Sequence, residues 1–218
     1  MITRKLIDTD QRFSIGKIVC LARNYAEHAR ELGNETPDAP VLFMKPASSV
    51  IGDADSVKIP NYSDECHFEV ELALLVGKQC REVSVEEAGD YIAGYGVAID
   101  MTLRDVQGRL KAKGLPWEIA KGFDTACPLS DFVLASSIAE PQNLNLMLSV
   151  NGDVRQNGTA SDMIHGIPQI IAYISAIFTL EAGDIILTGT PAGVGKVVSG
   201  DVMTAEIPLV GKLKITVT

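Results

Sequence analysis

The sequence is short of histidine, of basic residues and of long apolar runs, and each shortage argues against a class of protein. It contains three histidines and four cysteines, and the cysteines are scattered: Cys20, Cys66, Cys80 and Cys127. A zinc cluster and a disulfide framework are therefore disfavoured, and we expect reduced thiols. The formal net charge of −9 argues against nucleic acid as the main partner, because phosphate binding requires clustered lysine and arginine.

Membrane-spanning and secretory segments are also missing from the sequence. No run of 18 apolar residues occurs, and Met1–Leu6 leads straight into polar sequence rather than a signal peptide. We therefore expect a cytoplasmic protein without a membrane partner. There is no internal repeat or low-complexity linker, and a chain of 218 residues can bury one core. The sequence predicts a single domain, 1–218, whose first 15 residues or so form an N-terminal extension.

The stretch that carries most chemistry is His67–Gly77, which begins by alternating polar and apolar residues. On a strand, Glu69 and Glu71 would share one face, about 7 Å apart, close enough to reach one ion. Buried carboxylates without a cation would protonate or destabilise the fold. An E-x-E pattern by itself is more often an ordinary strand with its polar face in water. His67 shares the face of Glu69. It is better explained as a structural histidine than as a residue that supports Glu69 in the site.

A third acid makes a metal site the better interpretation. Residues 94–100 predict a second apolar strand that ends in Asp100, which by itself would more simply be a helix cap. Three carboxylates without a cysteine or histidine cluster favour a hard cation that prefers oxygen ligands. The expected cofactor is therefore Mg²⁺ or Mn²⁺.

Candidate acid–base groups lie on an earlier helical segment, residues 25–32, which Gly33 should end. His28 and Glu31 are spaced i, i+3, so they would share a helical face. A carboxylate beside an imidazole fixes its tautomer and raises its basicity, as in an activated general base. The alternative is a surface helix that happens to carry both residues. The proline-bearing loop 34–40 that follows suggests a mobile segment.

Further polar groups could form the rim of a ligand pocket. Arg104 and Gln107 are again spaced i, i+3 on a helix predicted over residues 101–113. Lys121 stands in a mostly uncharged segment, either as a buried cation that faces acids or as a side chain that reaches solvent. The glycine-rich loop 188–195 lacks the Walker pattern, but its amides and the Thr190 hydroxyl could hold a carboxylate.

The remaining patterns predict a β-rich α+β domain. Asn151-Gly152 predicts a hairpin turn between alternating strands. Ser84 and Glu87 form a capping box that predicts a helix running to Ile92 and ended by Gly94. Apolar residues from Met163 to Phe178 follow helical spacing, so we expect a buried helix capped by Ser161.

Six motifs, in this order along the chain, resemble the fumarylacetoacetate hydrolase family, and most closely its short acylpyruvase and oxaloacetate decarboxylase branch. They are Arg23-Asn24-Tyr25-Ala26-Glu27-His28, Phe43-Met44-Lys45-Pro46, His67-Phe68-Glu69-Val70-Glu71-Leu72, the segment Gly94–Gln107, Ala120-Lys121-Gly122-Phe123-Asp124 and the segment Thr188–Gly195. The resemblance covers nearly the whole chain, from about Ile18 to the C-terminus. It implies a β-rich mixed-sheet roll with a few peripheral helices, and a homodimer.

The resemblance also implies roles for individual residues. The metal ligands would be Glu69, Glu71 and Asp100, and the catalytic residues His28, Glu31 and Lys121. The substrate-binding residues would be Arg23, Asn24, Lys45, Arg104, Gln107, Gly189 and Thr190. Cys20-Leu21-Ala22 departs from the glycine or serine that relatives usually carry before the Arg23 motif.

The implied activity is divalent-metal chemistry on small 2-oxo acids. A metal held by a 2-oxo carboxylate withdraws electrons and stabilises the enolate that remains when a C–C bond breaks. The expected reactions are hydrolysis of acylpyruvates, in which His28 and Glu31 activate water, and decarboxylation of oxaloacetate. Keto–enol tautomerisation of oxaloacetate and isomerisation of a dienoate are alternatives. A catalytically silent small-acid binding protein and a purely structural metal protein also remain open.

Overall fold

The computed structural model describes residues 2–33 and 35–218, and it confirms a β-rich α+β fold with few helices. The strands are β1 Thr3–Lys5, β2 Arg12–Ser14, β3 Ile18–Ala22, β4 Val41–Lys45, β5 Val50–Ile51, β6 Ser56–Val57, β7 Cys66–Phe68, β8 Val70–Val76, β9 Ile92–Ile99, β10 Thr102–Leu103, β11 Cys127–Pro128, β12 Val133–Leu134, β13 Asn145–Val150, β14 Asp153–Thr159, β15 Ile185–Leu187, β16 Gly195–Lys196, β17 Val202–Ile207 and β18 Gly211–Val217. The α-helices are α1 Ala26–Glu31, α2 Arg104–Ala112, α3 Glu118–Lys121 and α4 Ile167–Ile177.

A six-stranded sheet with the order β12-β9-β8-β15-β3-β4 forms the centre of the fold. Its strands are antiparallel except for the parallel pair β15 and β3. A five-stranded sheet, β14-β13-β17-β18-β6, and three smaller sheets complete the described part of the chain. The sheets are therefore mixed, as the family resemblance implies.

The central sheet is covered on both faces, which explains the apolar run that follows the E-x-E motif. Leu72 and Leu74 of β8 belong to the larger apolar core, whereas Ala73 and Leu75 belong to a smaller core. Since successive strand residues face opposite sides, a strand buried on both sides needs apolar residues at every position. All seven residues of β8 are buried.

The turn between β13 and β14 has the predicted hairpin form. Asn151 and Gly152 both have positive φ, 52° and 94°, as a two-residue turn of type I′ requires. The two strands pair from Asn145 opposite Thr159 to Val150 opposite Asp153, with one irregularity in register between Leu148 and Ser149.

Three of the predicted helices are wrong in extent, and the first is the one that the Ser84 capping box predicts. Ser84 and Glu87 do exchange hydrogen bonds of 3.3 Å, but they lead only into a 3₁₀ turn, Ala88–Tyr91. Gly94 lies inside β9 instead of ending a helix, because pairing with β8 and β12 takes up this segment. A Cβ at Gly94 would lie 2.4 Å from the carbonyl oxygen of Val133, so the close strand contact itself requires glycine.

The buried helix α4 begins later than its apolar stripe predicts. Ser161 does not cap it, because Ser161 lies in a separate 3₁₀ turn, Ala160–Asp162, which Thr159 caps. Helix α4 starts at Ile167 with Pro168 in the first turn, where a missing N–H does no harm. Helix α2 likewise begins at Arg104 and not at Met101, because β10 pairs with β7.

The first residues pack on the body of the protein. Strands β1 and β2 form a hairpin, and Ile7 N–H donates to the carbonyl oxygen of Phe132 at 2.7 Å. The extent of the N-terminal extension and the single-domain assignment stay predictions. Met1 and the Asn34 end of the predicted loop 34–40 lie outside the described residues. No helix in the described ranges is both long and apolar enough to cross a membrane.

Candidate active site

Three carboxylates meet where β8 begins beside the end of β9. Val70 pairs with Ile99, so the residues just beyond this pair, Glu69 and Asp100, are neighbours, and Asp100 N–H donates to the carbonyl oxygen of Glu69 at 2.8 Å. Glu69, Glu71 and Asp100 are buried, and one oxygen from each lies within 4.8 Å of the others. Glu69 occupies the break between β7 and β8 and is not part of a continuous strand.

Two of the three carboxylates are neutralised by cations of the protein. Lys121 Nζ lies 2.8 Å from Glu69 Oε2 and 2.6 Å from Asp100 Oδ2, and it also donates to the Thr102 hydroxyl. Arg104 forms an ion pair with Glu69. Burial by itself would raise the pKa of Glu69, but the charges of Lys121 and Arg104 outweigh it and hold that pKa well below its usual range.

Glu71 has no such cation partner among the described residues. Its Oε2 accepts a hydrogen bond of 2.6 Å from Gly189 N–H. Burial, followed by the nearby charges of Asp100 and Glu69, raises the pKa of Glu71 well above its usual range. An ionised Glu71 therefore needs further positive charge. Three hard oxygen donors that converge in this way fit a divalent cation such as Mg²⁺ or Mn²⁺.

Lys45 lies behind the acids and does not line the pocket. Its ammonium group is fully buried, 2.7 Å from Asp100 Oδ1, and it donates to the carbonyl oxygens of Met101, Lys121 and Ala126. These contacts join β4 to the segments that carry Asp100 and Lys121. The structure thus places Lys45 as a support for Asp100, and its contact with substrate stays a prediction.

The predicted imidazole–carboxylate pair stands at the pocket. Helix α1 buries His28, whose Nδ1 lies 3.4 Å from Glu31 Oε2. Glu31 also accepts from Gly193 N–H at 3.1 Å, so it connects the helix to the glycine-rich loop. This arrangement leaves Nε2 of His28 for a ligand, because Nδ1 faces Glu31.

The pocket brings most of the predicted residues together. Its lining is Leu21, Ala22, Arg23, His28, Leu32, Phe43, Glu69, Glu71, Arg104, Gln107, Lys111, Trp117, Lys121 and Thr190. Arg104 donates to the Gln107 side-chain oxygen at 2.8 Å, so the two residues present one polar face of α2. Sequence reasoning missed the apolar wall of Phe43 and Trp117, whose ring centroids lie 6.0 Å apart.

Asn24 and Gly189 shape the site through the backbone. The Asn24 side chain donates to the carbonyl oxygens of His165 and Thr188 and accepts from His165 N–H. Gly189 has a φ of 93°, and a Cβ there would lie 2.8 Å from Asn24 Cβ. These contacts fix the loop that holds Glu71. Whether either residue also touches substrate stays a prediction.

Gln156, which sequence reasoning missed, joins the E-x-E strand to the glycine-rich loop. It is fully buried, accepts from Val70 N–H at 2.9 Å, and donates to Thr190 Oγ1 and the Pro191 carbonyl oxygen, each at 2.8 Å. A glutamine in a hairpin strand next to exposed residues gives no sequence signal of burial. The pairing is visible only once the hairpin is folded onto β8.

Replacing Gln156 by leucine is expected to lower the free energy of unfolding by about 2–4 kcal/mol, because a buried amide N–H and hydroxyl lose their partners. Chemical denaturation of the metal-free protein measures this change in the free energy of unfolding. The control is Gln169→Leu, the same change at an exposed position of α4, which should stay within about 0.5 kcal/mol of wild type. Equal effects of the two substitutions would contradict the bridging role.

The fold and the site are those of a known enzyme family. The family model for the fumarylacetoacetate (FAA) hydrolase C-terminal domain matches residues 17–218, and the chain belongs to this family. The mitochondrial oxaloacetate tautomerase of Bos taurus is 51% identical over 200 residues, 92% of this chain and 90% of that protein. An oxaloacetate tautomerase of Escherichia coli is 51% identical over 193 residues, 88% of each chain.

Two further relatives carry different activities in their names. The mitochondrial oxaloacetate decarboxylase of Dictyostelium discoideum is 48% identical over 192 residues, 88% of each chain. The crystal structure of fumarylpyruvate hydrolase from Pseudomonas aeruginosa, in complex with Mn²⁺ and pyruvate, has a TM-score of 0.96 and 34% identity, and the match covers all of this chain and 95% of that one. Family and fold are thereby confirmed.

Proposed function

We propose that this protein is a divalent-metal-dependent enzyme that interconverts the keto and enol forms of oxaloacetate. The observation that carries the proposal is the cluster of Glu69, Glu71 and Asp100, of which Glu69 and Glu71 line the same pocket as His28, the imidazole that is paired with Glu31. Relatives at about half identity that are named oxaloacetate tautomerases support it. The leading expectations from the sequence were acylpyruvate hydrolysis and oxaloacetate decarboxylation, and the proposal instead takes keto–enol tautomerisation, which the sequence left as an alternative.

The pocket residues have complementary tasks in this reaction. Glu69, Glu71 and Asp100 would hold Mg²⁺ or Mn²⁺, which when bound polarises the 2-oxo group and makes the C3 hydrogen more acidic. His28 Nε2 takes the proton from C3, the C–H electron pair forms the C2–C3 double bond, and the carbonyl π pair moves to the 2-oxo oxygen. That oxygen takes a proton from solvent, and His28 releases its proton to solvent. Glu31 keeps the imidazole oriented through Nδ1.

Lys121 supplies positive charge where negative charge develops on the substrate oxygen. Burial lowers its pKa, but Asp100 and Glu69 more than compensate and raise that pKa above the usual value. The ammonium group therefore stays charged over the working range and acts electrostatically instead of as a base. Arg104 and Gln107 stand beside it and are proposed to orient the substrate.

Decarboxylation and hydrolysis are the second candidate, favoured by the names of the Dictyostelium relative and the Pseudomonas structure. All three reactions pass through an enolate, so one site can support each of them. They differ in the role of His28: hydrolysis requires an activated water, tautomerisation a proton transfer at carbon, and decarboxylation neither.

One preparation assayed for all three reactions tests the proposal. Enol absorbance follows oxaloacetate tautomerisation, pyruvate release follows decarboxylation, and loss of acetylpyruvate follows hydrolysis, each with Mg²⁺, with Mn²⁺ and with EDTA. We expect metal-dependent tautomerisation to be the fastest. Dominant hydrolysis or decarboxylation would replace the proposal by the second candidate. No activity in any assay would favour the silent acid-binding protein.

The segment over the pocket is expected to respond to ligand. Helix α1 has only six residues and no side-chain cap, and Glu31 joins it to the loop at Gly193. Amide hydrogen exchange across Tyr25–Leu32 should therefore slow when oxalate and Mg²⁺ are added. Helix α4 is the internal reference and should not change. Equal exchange of Tyr25–Leu32 in both states would contradict a lid.

The homodimer that the family resemblance implies also stays a prediction, and light scattering of the purified protein tests it.

A further inference from the structure

Phe43 is a pocket residue that the proposed reaction leaves unexplained. It carries no polar group, yet it lines the pocket together with Lys121 and is half-buried. Phe43 and Trp117 also line an apolar groove of about 240 Å³, so the pocket and the groove share these two residues. Any large apolar side chain could form such a shared wall, and the wall by itself therefore does not explain a phenylalanine.

One face of strand β4 contacts Lys121 twice. Phe43 and Lys45 share that face, because residues two apart on a strand point to the same side. Lys45 donates to the backbone carbonyl oxygen of Lys121, and its ammonium group lies 2.7 Å from Asp100 Oδ1. Lys121 Nζ lies over the ring of Phe43, 4.8 Å from the ring centroid. The strand at the edge of the central sheet thus contacts both the backbone and the ammonium group of Lys121.

Phe43 also contacts the residue that precedes the short helix α3. Its ring centroid lies 6.0 Å from that of Trp117, and the two ring planes are inclined at 52°. The carbonyl oxygen of Trp117 accepts from the N–H groups of Ala120 and Lys121, at 2.8 and 3.0 Å. A helix of four residues is too short to be stable by itself, so its position depends on such contacts. Phe43 therefore contacts α3 at both ends.

The ring gives Lys121 a contact that does not involve the acids. An ammonium group has three N–H donors, and those of Lys121 have three acceptors, Glu69, Asp100 and the Thr102 hydroxyl. Glu69 and Asp100 are also proposed metal ligands, so a bound cation would share their charge and weaken their attraction for the ammonium group. The attraction of a cation to an aromatic face uses no N–H donor, and it is strongest for a desolvated group such as Lys121, which is 3% exposed.

We propose that Phe43 is a positioning residue that holds the ammonium group of Lys121 at the pocket through the face of its ring. This inference rests on the proposed function, in which Lys121 stabilises negative charge on the substrate oxygen. Decarboxylation and hydrolysis also pass through an enolate, so the ring should support all three reactions. Phe43 takes no part in proton transfer or in uniform binding of the substrate, and its loss should lower kcat with little change in KM.

Replacing Phe43 by leucine keeps an apolar side chain in the wall and removes the ring. We expect kcat of the fastest of the three reactions to fall about 3- to 30-fold, the rate equivalent of a desolvated cation–π contact, and KM to change by less than about twofold. Phe43→Tyr keeps the ring face and should stay within about twofold of wild type. The matched control is Phe13→Leu, because Phe13 is also partly buried against the smaller core but does not line the pocket. Its kcat should equal that of wild type.

A double-mutant cycle separates an effect through Lys121 from a general effect on the wall. In a Lys121→Met background the ammonium group is absent, so Phe43→Leu should change the remaining kcat by less than about twofold. A further loss as large as the one in the wild-type background would show that Phe43 acts independently of Lys121, and it would overturn the positioning role.

NMR of the lysine side chains tests the contact without turnover, in the metal-free protein and with Mg²⁺. Protons over the face of an aromatic ring are shifted upfield, and the Lys121 ammonium signal can be assigned by its disappearance in Lys121→Met. We expect this signal to move downfield in Phe43→Leu, in both samples. In Phe43→Tyr and Phe13→Leu it should stay at the wild-type position.

The two proposals fail in different ways. A Lys121 signal that does not respond to Phe43→Leu overturns the positioning role, and so does a Phe43→Tyr variant that loses as much kcat as Phe43→Leu. Equal losses in Phe43→Leu and Phe13→Leu overturn it as well. A wild type without oxaloacetate turnover overturns the tautomerase proposal, whereas the NMR comparison still decides whether Phe43 holds Lys121.

Discussion

Replacing Glu71 by glutamine is expected to reduce metal-dependent turnover by at least about 10³-fold while the fold is retained. Glu71 is the acid of the three that no described lysine or arginine neutralises, so its charge is available to a metal ion. Glutamine keeps the shape, and its side-chain oxygen can still accept from Gly189 N–H. The variant therefore removes the charge without removing the hydrogen bond.

The same substitution has a distinct effect on stability without metal. Because the pKa of Glu71 is raised in the folded protein, its contribution to stability is complete at low pH and is lost as pH rises through that folded value. Above it, wild type holds an uncompensated charge that the glutamine variant lacks. Metal-free Glu71→Gln should thus melt at the same or a higher temperature than wild type at pH 8.

Calorimetry and thermal melting check this prediction. Adding Mg²⁺ or Mn²⁺ should raise the melting temperature of wild type and leave that of Glu71→Gln nearly unchanged. The control is Glu86→Gln, which changes an exposed carboxylate outside the triad and should respond to metal as wild type does. A variant that still binds metal with wild-type affinity, or a crystal soaked in Mn²⁺ whose ion does not touch Glu69, Glu71 or Asp100, would refute the site.

Replacing His28 by alanine should slow tautomerisation and acylpyruvate hydrolysis about 10²- to 10⁴-fold, the usual contribution of a positioned general base. Decarboxylation of oxaloacetate should fall less, because it needs no proton abstraction by the imidazole. Glu31→Gln should slow the same two reactions by a smaller factor, because it weakens the contact at Nδ1 of His28 and keeps the imidazole ring in place.

Replacing Lys121 by methionine should damage all three reactions. The ammonium group contacts two of the three proposed metal ligands, and it faces the pocket where negative charge develops. Steady-state kinetics of the three variants on oxaloacetate and acetylpyruvate distinguish these roles. If His28→Ala lowers decarboxylation as much as tautomerisation, the histidine serves a step common to both and the assigned division is incorrect.

Much of the fold and site follows from local patterns. Strict alternation and unbroken apolar runs depend only on which faces of a strand are buried, so β8, β9 and the β13–β14 hairpin could be predicted from the sequence. The acids of the site and the His28–Glu31 spacing are equally local. Helix ends were less predictable. Ser84 and Ser161 resemble caps, but strand pairing and Pro168 set the true boundaries.

The sequence by itself determined which groups the proposed site contains: three carboxylates, an imidazole–carboxylate pair and several cations. Only the tertiary structure decided which charges cancel. Lys45, Lys121 and Gly189 reach the acids from 21 to 118 residues away along the chain. Those contacts depend on the register of β8 against β9 and on how distant loops pack against the acids. Local periodicity encodes neither the register nor the loop packing. Among the residues that the structure describes, this packing leaves Glu71 without a lysine or arginine partner.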